Sequence, residues 1–243
     1  MTLLAGAFVV LAAFLTAAVS GVLGMAGGLL LLGALLLVLP VSAAFVVHGL
    51  LQLVSNGWRA YLQRAHARWA TVGWYGAGAL AAVALVSAVA YVPSRPLTYL
   101  LLGFVPALVW LPRGWLPLDA ARPSHAALAG LLVTALNLVA GVAGPLLDVF
   151  FVRTALGRHQ VVATKAATQV LSHAGKVVVY LPLVASGTVP YAVVLLAGPL
   201  SMLGTAVGGR VLDRMTDASF TRWTRWVVTA IGAVYLVQAA VLA

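Results

Sequence analysis

Positions 70–92 hold twenty-three consecutive residues without a charge. As a helix rising 1.5 Å per residue, that run reaches about 35 Å, more than the roughly 30 Å of a bilayer's hydrocarbon core. Seven further apolar blocks follow the same habit, at 3–39, 41–62, 97–111, 125–152, 161–183, 189–208 and 220–243. Lipid offers no water to satisfy backbone N–H and C=O groups, so only helices and closed barrels span it. A barrel needs short segments of strict alternation, which these blocks lack. The chain therefore reads as an all-α polytopic membrane protein. Its composition agrees: 7% of the 243 residues are charged, against about 25% in a soluble domain.

The blocks repeat. His48, Gln52, Ser55, Asn56 and Arg59 align without a gap on Lys165, Gln169, Ser172, His173 and Lys176, 117 positions on. Each ladder is preceded at the same offset by a glycine cluster, Gly24-Met25-Ala26-Gly27-Gly28 and Gly141-Val142-Ala143-Gly144-Pro145. The two halves are 1–111 and 125–243, four blocks each, joined by a linker at 112–124.

Loop charges set the relative orientation of the halves. The loop at 39–42 is neutral, whereas its counterpart carries Arg153 and Arg158. The next loop has Arg64, His66 and Arg68, against a neutral stretch at 185–190. In the third pair Arg95 stands against Arg210, Arg214 and Arg222, partly offset by Asp213 and Asp217. Basic loops stay in the cytoplasm, so equivalent loops lie on opposite sides and the repeat is inverted. Inversion needs an odd number of crossings per half. One block of four must therefore turn back, and the first is broken in each half, at 20–28 and 141–145. The expectation is two re-entrant hairpins, about ten helical segments, a cytoplasmic linker and both termini outside. The first arm is long for a half-helix, so a crossing first block stays open beside the hairpin. The first segment lacks a basic leader and reads as retained.

On a helix the spacings four, three, one and three place each ladder on one face. Packed helices often share such polar groups simply as glue, but two matched ladders of five, each ending in a cation, exceed that need. Arg offers a planar fork for oxyanions and Lys a point charge. Helix N-termini freed at the glycine breaks add partial positive charge. The ladders and breaks thus describe a small-anion site built from Gly24, Gly27, Gly28, Gln52, Ser55, Asn56, Arg59, Gly141, Gly144, Pro145, Thr168, Gln169, Ser172, His173 and Lys176. In this reading Gln52, Ser55, Asn56 and Arg59 face Gln169, Ser172, His173 and Lys176. His48, Asp148 and Lys165 are candidates for ion coupling; Asp148 is the lone acid inside a block and has Lys165 or Arg153 as a structural partner. Two bland alternatives stand. Arg59 and Lys176 sit late in their blocks and can snorkel to an interface. Gly24 and Gly28, four apart, suit close helix packing, although Pro145 makes the second cluster a break first.

Several classes are excluded. The net charge of +10 reflects four Asp and no Glu rather than a nucleic-acid surface. There is no cysteine, hence no disulfide or thiol chemistry. No metal-ligand spacing, nucleophile–base set or phosphate loop occurs, so neither cofactor nor enzyme activity is expected. The partners are the bilayer and a small anion, and the oligomeric state is open. The rival class is a non-transporting membrane protein or an intramembrane enzyme, for which Asp148 with His173 is the candidate acid–base pair.

The run GVAGPLLDVFFVRTALGRHQVVATKAATQVLSHAGKVVVY at 141–180 resembles the second-half signature of the sulfite exporter TauE/SafE family, four-plus-four permeases. Residues 21–61 resemble the first-half signature more loosely, with the next proline only at Pro40. The resemblance implies a secondary transporter of the inner membrane, moving sulfite, organosulfonates or related small anions, outward rather than inward.

Overall fold

The computed structural model describes residues 2–23, 26–89, 91–112 and 116–243. Among these residues the chain forms ten α-helices. The first half holds α1 (Leu3–Leu23), α2 (Ala26–Val38), α3 (Val41–Leu62), α4 (Trp69–Val89) and α5 (Arg95–Phe104). The second holds α6 (Pro123–Ala140), α7 (Gly144–Phe151), α8 (Arg158–Tyr180), α9 (Tyr191–Leu212) and α10 (Asp217–Leu242). Local chemistry sets many of these bounds. Ser94 caps α5 by accepting from the Leu97 N–H at 3.4 Å, and Thr216 caps α10 by accepting from Ser219 at 3.2 Å. Prolines stand just before or inside the first turn of α3, α5, α6, α7 and α9, where a missing N–H costs nothing.

The second block breaks at its glycines, and both blocks fold back. Gly27 packs against Thr16 and Ser20, residues that a continuous helix would carry about 16 and 10 Å away. In the second block α6 ends at Gly141, whose φ of +82° is the left-handed conformation that glycine adopts without penalty. The Ala120 N–H, just before α6, donates to the Phe150 carbonyl near the end of α7 at 2.9 Å. The strand of chain entering this block therefore touches the one leaving it. The arms are unequal. α1 has 21 residues, about 31 Å, and is long and apolar enough to cross a membrane by itself, whereas α2 has 13 and α7 only 8.

Packing is reciprocal between the halves. α1 lies along α9 and α6 along α4, so the first helix of each half packs on the fourth helix of the other. α3 packs on α8 and α5 on α10, each on its own counterpart. The α1–α9 contact is backbone on backbone: a methyl added at Gly21 would stand 2.8 Å from the Gly208 Cα. Five helices, α1, α4, α6, α9 and the Arg222–Leu242 stretch of α10, have the length and hydropathy of membrane spans. α3 and α8, with 22 and 23 residues, are as long but carry the polar ladders. The protein is a polytopic helical membrane protein.

α3 and α8 run antiparallel, which fixes what gathers at each end. At one end the His66 and His159 rings stand 5.4 Å apart, and the Arg68 N–H donates to the Thr164 hydroxyl at 2.9 Å. The basic loops at 63–68 and 152–157 therefore meet. The linker joins them there, as Thr71 donates to the Ala120 carbonyl at 3.2 Å. At the other end Leu39 and Val189 share one core, and Arg95 donates to the Leu39 carbonyl at 3.0 Å.

Candidate functional site

The antiparallel pairing sets how the ladders face each other: His48 on α3 meets Lys176 on α8, the first rung against the last. The Lys176 Nζ lies 2.7 Å from His48 Nδ1, 2.7 Å from the Gly141 carbonyl and 3.4 Å from Asn137 Oδ1. His48 Nε2 lies 3.0 Å from the Gly28 carbonyl, which can only accept. Nε2 therefore carries the imidazole proton, and Nδ1 accepts from the lysine. An ammonium has three N–H groups, and all three are taken by protein. The side chain is fully buried, with its charge 5.5 Å from the centre of the Phe45 ring. Snorkelling is thereby ruled out for Lys176. The residue ties the α2 hairpin, through His48 and Gly28, to the α6–α7 break, through Gly141.

Beside this network lies a cavity between the halves. Its volume is about 30 Å³, against roughly 10–15 Å³ for one water, the size of a small ion. α3 contributes His48, Gln52 and Asn56, and α8 contributes Gln169, Ser172 and His173. Gly28 and Gly144 bring the two broken blocks to its wall. The side chains are held in place by one another. Asn56 donates to Gln52 Oε1 at 3.2 Å, and Asn137 donates to the Ser172 carbonyl at 3.2 Å. The Ser172 hydroxyl is fixed between the Tyr75 OH at 2.5 Å and the Thr134 hydroxyl at 2.8 Å. His173 packs edge-on to His48, and its Nδ1 is buried without a hydrogen-bond partner among the described residues.

None of the expected cations lines this cavity. The wall offers neutral donors, from amides and an imidazole, with the Lys176 charge one layer behind His48 and Asn137. Such a wall presents directed N–H groups without a permanent ion pair to break.

The other expected residues take different places. Ser55 turns to α9, where its hydroxyl and that of Thr205 stand 2.8 Å apart. Thr168 bonds back to the Lys165 carbonyl at 2.9 Å. Gly27 serves close packing within the first hairpin, and Pro145 is buried in the first turn of α7. Gly24 lies outside the described residues. Lys165 is paired with Asp148 on α7, with Arg59 within electrostatic reach. That ion pair has a counterpart in the other half: His48 ties α3 to α2, and Lys165 ties α8 to α7.

Two polar lining residues were not singled out by the ladders, Ser20 on α1 and Asn137 on α6. They too are 117 positions apart. The offset that aligns the ladders finds them once it is carried back across the glycine clusters.

Comparison with known proteins supplies one match. The profile of the sulfite exporter TauE/SafE family covers residues 9–235, nearly the whole chain. No curated protein and no solved structure matches. With helices of spanning length, two broken blocks and a profile matched over residues 9–235, the chain belongs to the sulfite exporter TauE/SafE family of membrane transporters.

Proposed function

We propose that this protein is a secondary transporter that carries sulfite or a related small sulfur oxyanion out of the cytoplasm across the inner membrane. The observation that carries the reading is the small cavity between α3 and α8, walled by Gln52, Asn56, Gln169 and His173 and touched by both broken blocks. Sites at the junction of inverted repeats, formed beside interrupted helices, are the common plan of secondary transporters. The units are the halves 1–111 and 125–243, inverted about the antiparallel α3–α8 pair, with the linker at 112–124 and the basic loops facing the cytoplasm. The cavity volume of about 30 Å³ favours a four- or five-atom oxyanion over a bulky organosulfonate. Asp148 pairs with Lys165, which supports a structural or coupling role for it over acid–base chemistry.

Flux decides. Purified protein in proteoliposomes should move sulfite down its gradient faster than protein-free vesicles do, and His173→Ala should abolish the excess. Equal sulfite flux with and without protein, over a range of ion gradients, overturns the reading.

A further inference from the structure

The antiparallel register holds a second pairing. Eleven positions along each helix from His48 and Lys176 come Arg59 and Lys165, about 16 Å away at the basic end. The two layers are repeat counterparts, His48 of Lys165 and Lys176 of Arg59. Their chemistry is not equivalent. Lys176 meets an imidazole nitrogen that accepts. Arg59 lies within electrostatic reach of Lys165, and both are donors only. A donor–donor layer needs an acceptor between its members. Asp148 serves Lys165, whereas Arg59 Nη2 is buried and makes no hydrogen bond among the described residues. Two cations against one carboxylate leave an uncompensated positive charge.

This layer is also within reach of solvent. The side chains of Lys165 and Asp148 are 26% and 29% exposed, whereas Lys176 is sealed. This end gathers Arg64, His66 and Arg68 of one loop, Arg153 of the other and His159 in the first turn of α8, a basic rim that attracts anions.

We propose that Arg59 and Lys165 form a second oxyanion site, distinct from the central cavity, in which an incoming oxyanion bridges the two cations and displaces Asp148 from Lys165. The guanidinium fork suits two oxygens of one anion, and the ammonium takes a third. Asp148 is then a resident competitor that holds the site in its absence and weakens binding when the anion arrives. The anion-transport reading gives this site its role as a way station, but binding there does not depend on transport.

The test uses full-length protein in detergent carrying Gly28→Ala, whose methyl drives the Gln52 side chain into the central cavity from α2, away from Arg59 and Lys165. Calorimetric titration with sulfite, and separately with sulfate, reads the remaining site. In that background Asp148→Asn should tighten binding about tenfold, and Arg59→Gln should weaken it at least tenfold. Unchanged or weaker binding in Asp148→Asn overturns the proposal. Should that variant not fold, Arg59→Gln decides alone, and an affinity equal to its parent's is a refutation. Vesicle flux separates this site from the proposed function. Sulfite bound here without flux leaves the site standing and removes the transport reading, and flux without binding here does the reverse.

Discussion

Lys176 donates to His48 Nδ1 across 2.7 Å, joining one half of the molecule to the other in a fully buried contact. The contact is a strut. Lys176→Met leaves His48 Nδ1, Asn137 and the Gly141 carbonyl without their donor, and each buried acceptor left unsatisfied costs about 1–3 kcal/mol. The variant should therefore melt well below the wild type by tryptophan fluorescence in detergent. His48→Ala should cost less when Lys176 is already Met, with a coupling on the order of 0.5–3 kcal/mol. Strict additivity in that double-mutant cycle would show that the two side chains do not act together.

Gly28→Ala tests the cavity wall. A methyl there would stand 2.6 Å from Gln52 Nε2, so the amide must move, and the space beyond it is a cavity of about 30 Å³. Sulfite affinity should fall about tenfold, while the melting temperature stays near that of the wild type. Full affinity in this variant would place the ligand elsewhere.

Orientation in the membrane is open to labelling, because the chain has no cysteine of its own. Cysteines at Ala65 and Ala155, both exposed in the basic loops, should react from the cytoplasmic side. Cysteines at Pro40 and Ser186, exposed at the other end, should react from outside. Reaction of Ala65→Cys and Ala155→Cys from opposite sides would end the inverted-repeat reading.

Gly208→Val tests the α1–α9 seam. The added side chain enters the backbone of Ala18 and Gly21 on α1, with neither free to withdraw. Overpacking of this kind costs typically 1–3 kcal/mol. A lower melting temperature and a poorer yield of folded protein are expected, with any folded fraction still binding sulfite. Wild-type stability would mean that α1 does not lie on α9.

Much of this fold was legible because the residues that announce it are rare. Gly141 and Pro145 mark a break in any apolar run, and polar ladders stand out in a chain with so few polar residues. The sequence does not say which rung meets which. The antiparallel helices bring His48 to Lys176, and the lysine leaves the binding wall for the scaffold. Nor was the Gly21–Gly208 seam legible. The chain holds 24 glycines, and which of them meets a neighbour depends on helix rotation, which composition does not carry. Ser20 and Asn137 escaped for a different reason: they precede the glycine clusters, outside the aligned ladders, although the same offset relates them.

The order of synthesis gives the Lys176 contact a further meaning. Its acceptor His48 lies 128 positions earlier, so α3 is already in the membrane when α8 leaves the ribosome. A lone lysine at mid-bilayer costs roughly 2.5–3.5 kcal/mol on the insertion scale, and the imidazole and the Gly141 carbonyl are waiting to offset it. The first half thus supplies one of the lysine's three acceptors before α8 is made. A chain cut at the linker would leave Lys176 with Asn137 and the Gly141 carbonyl of its own half and without the imidazole.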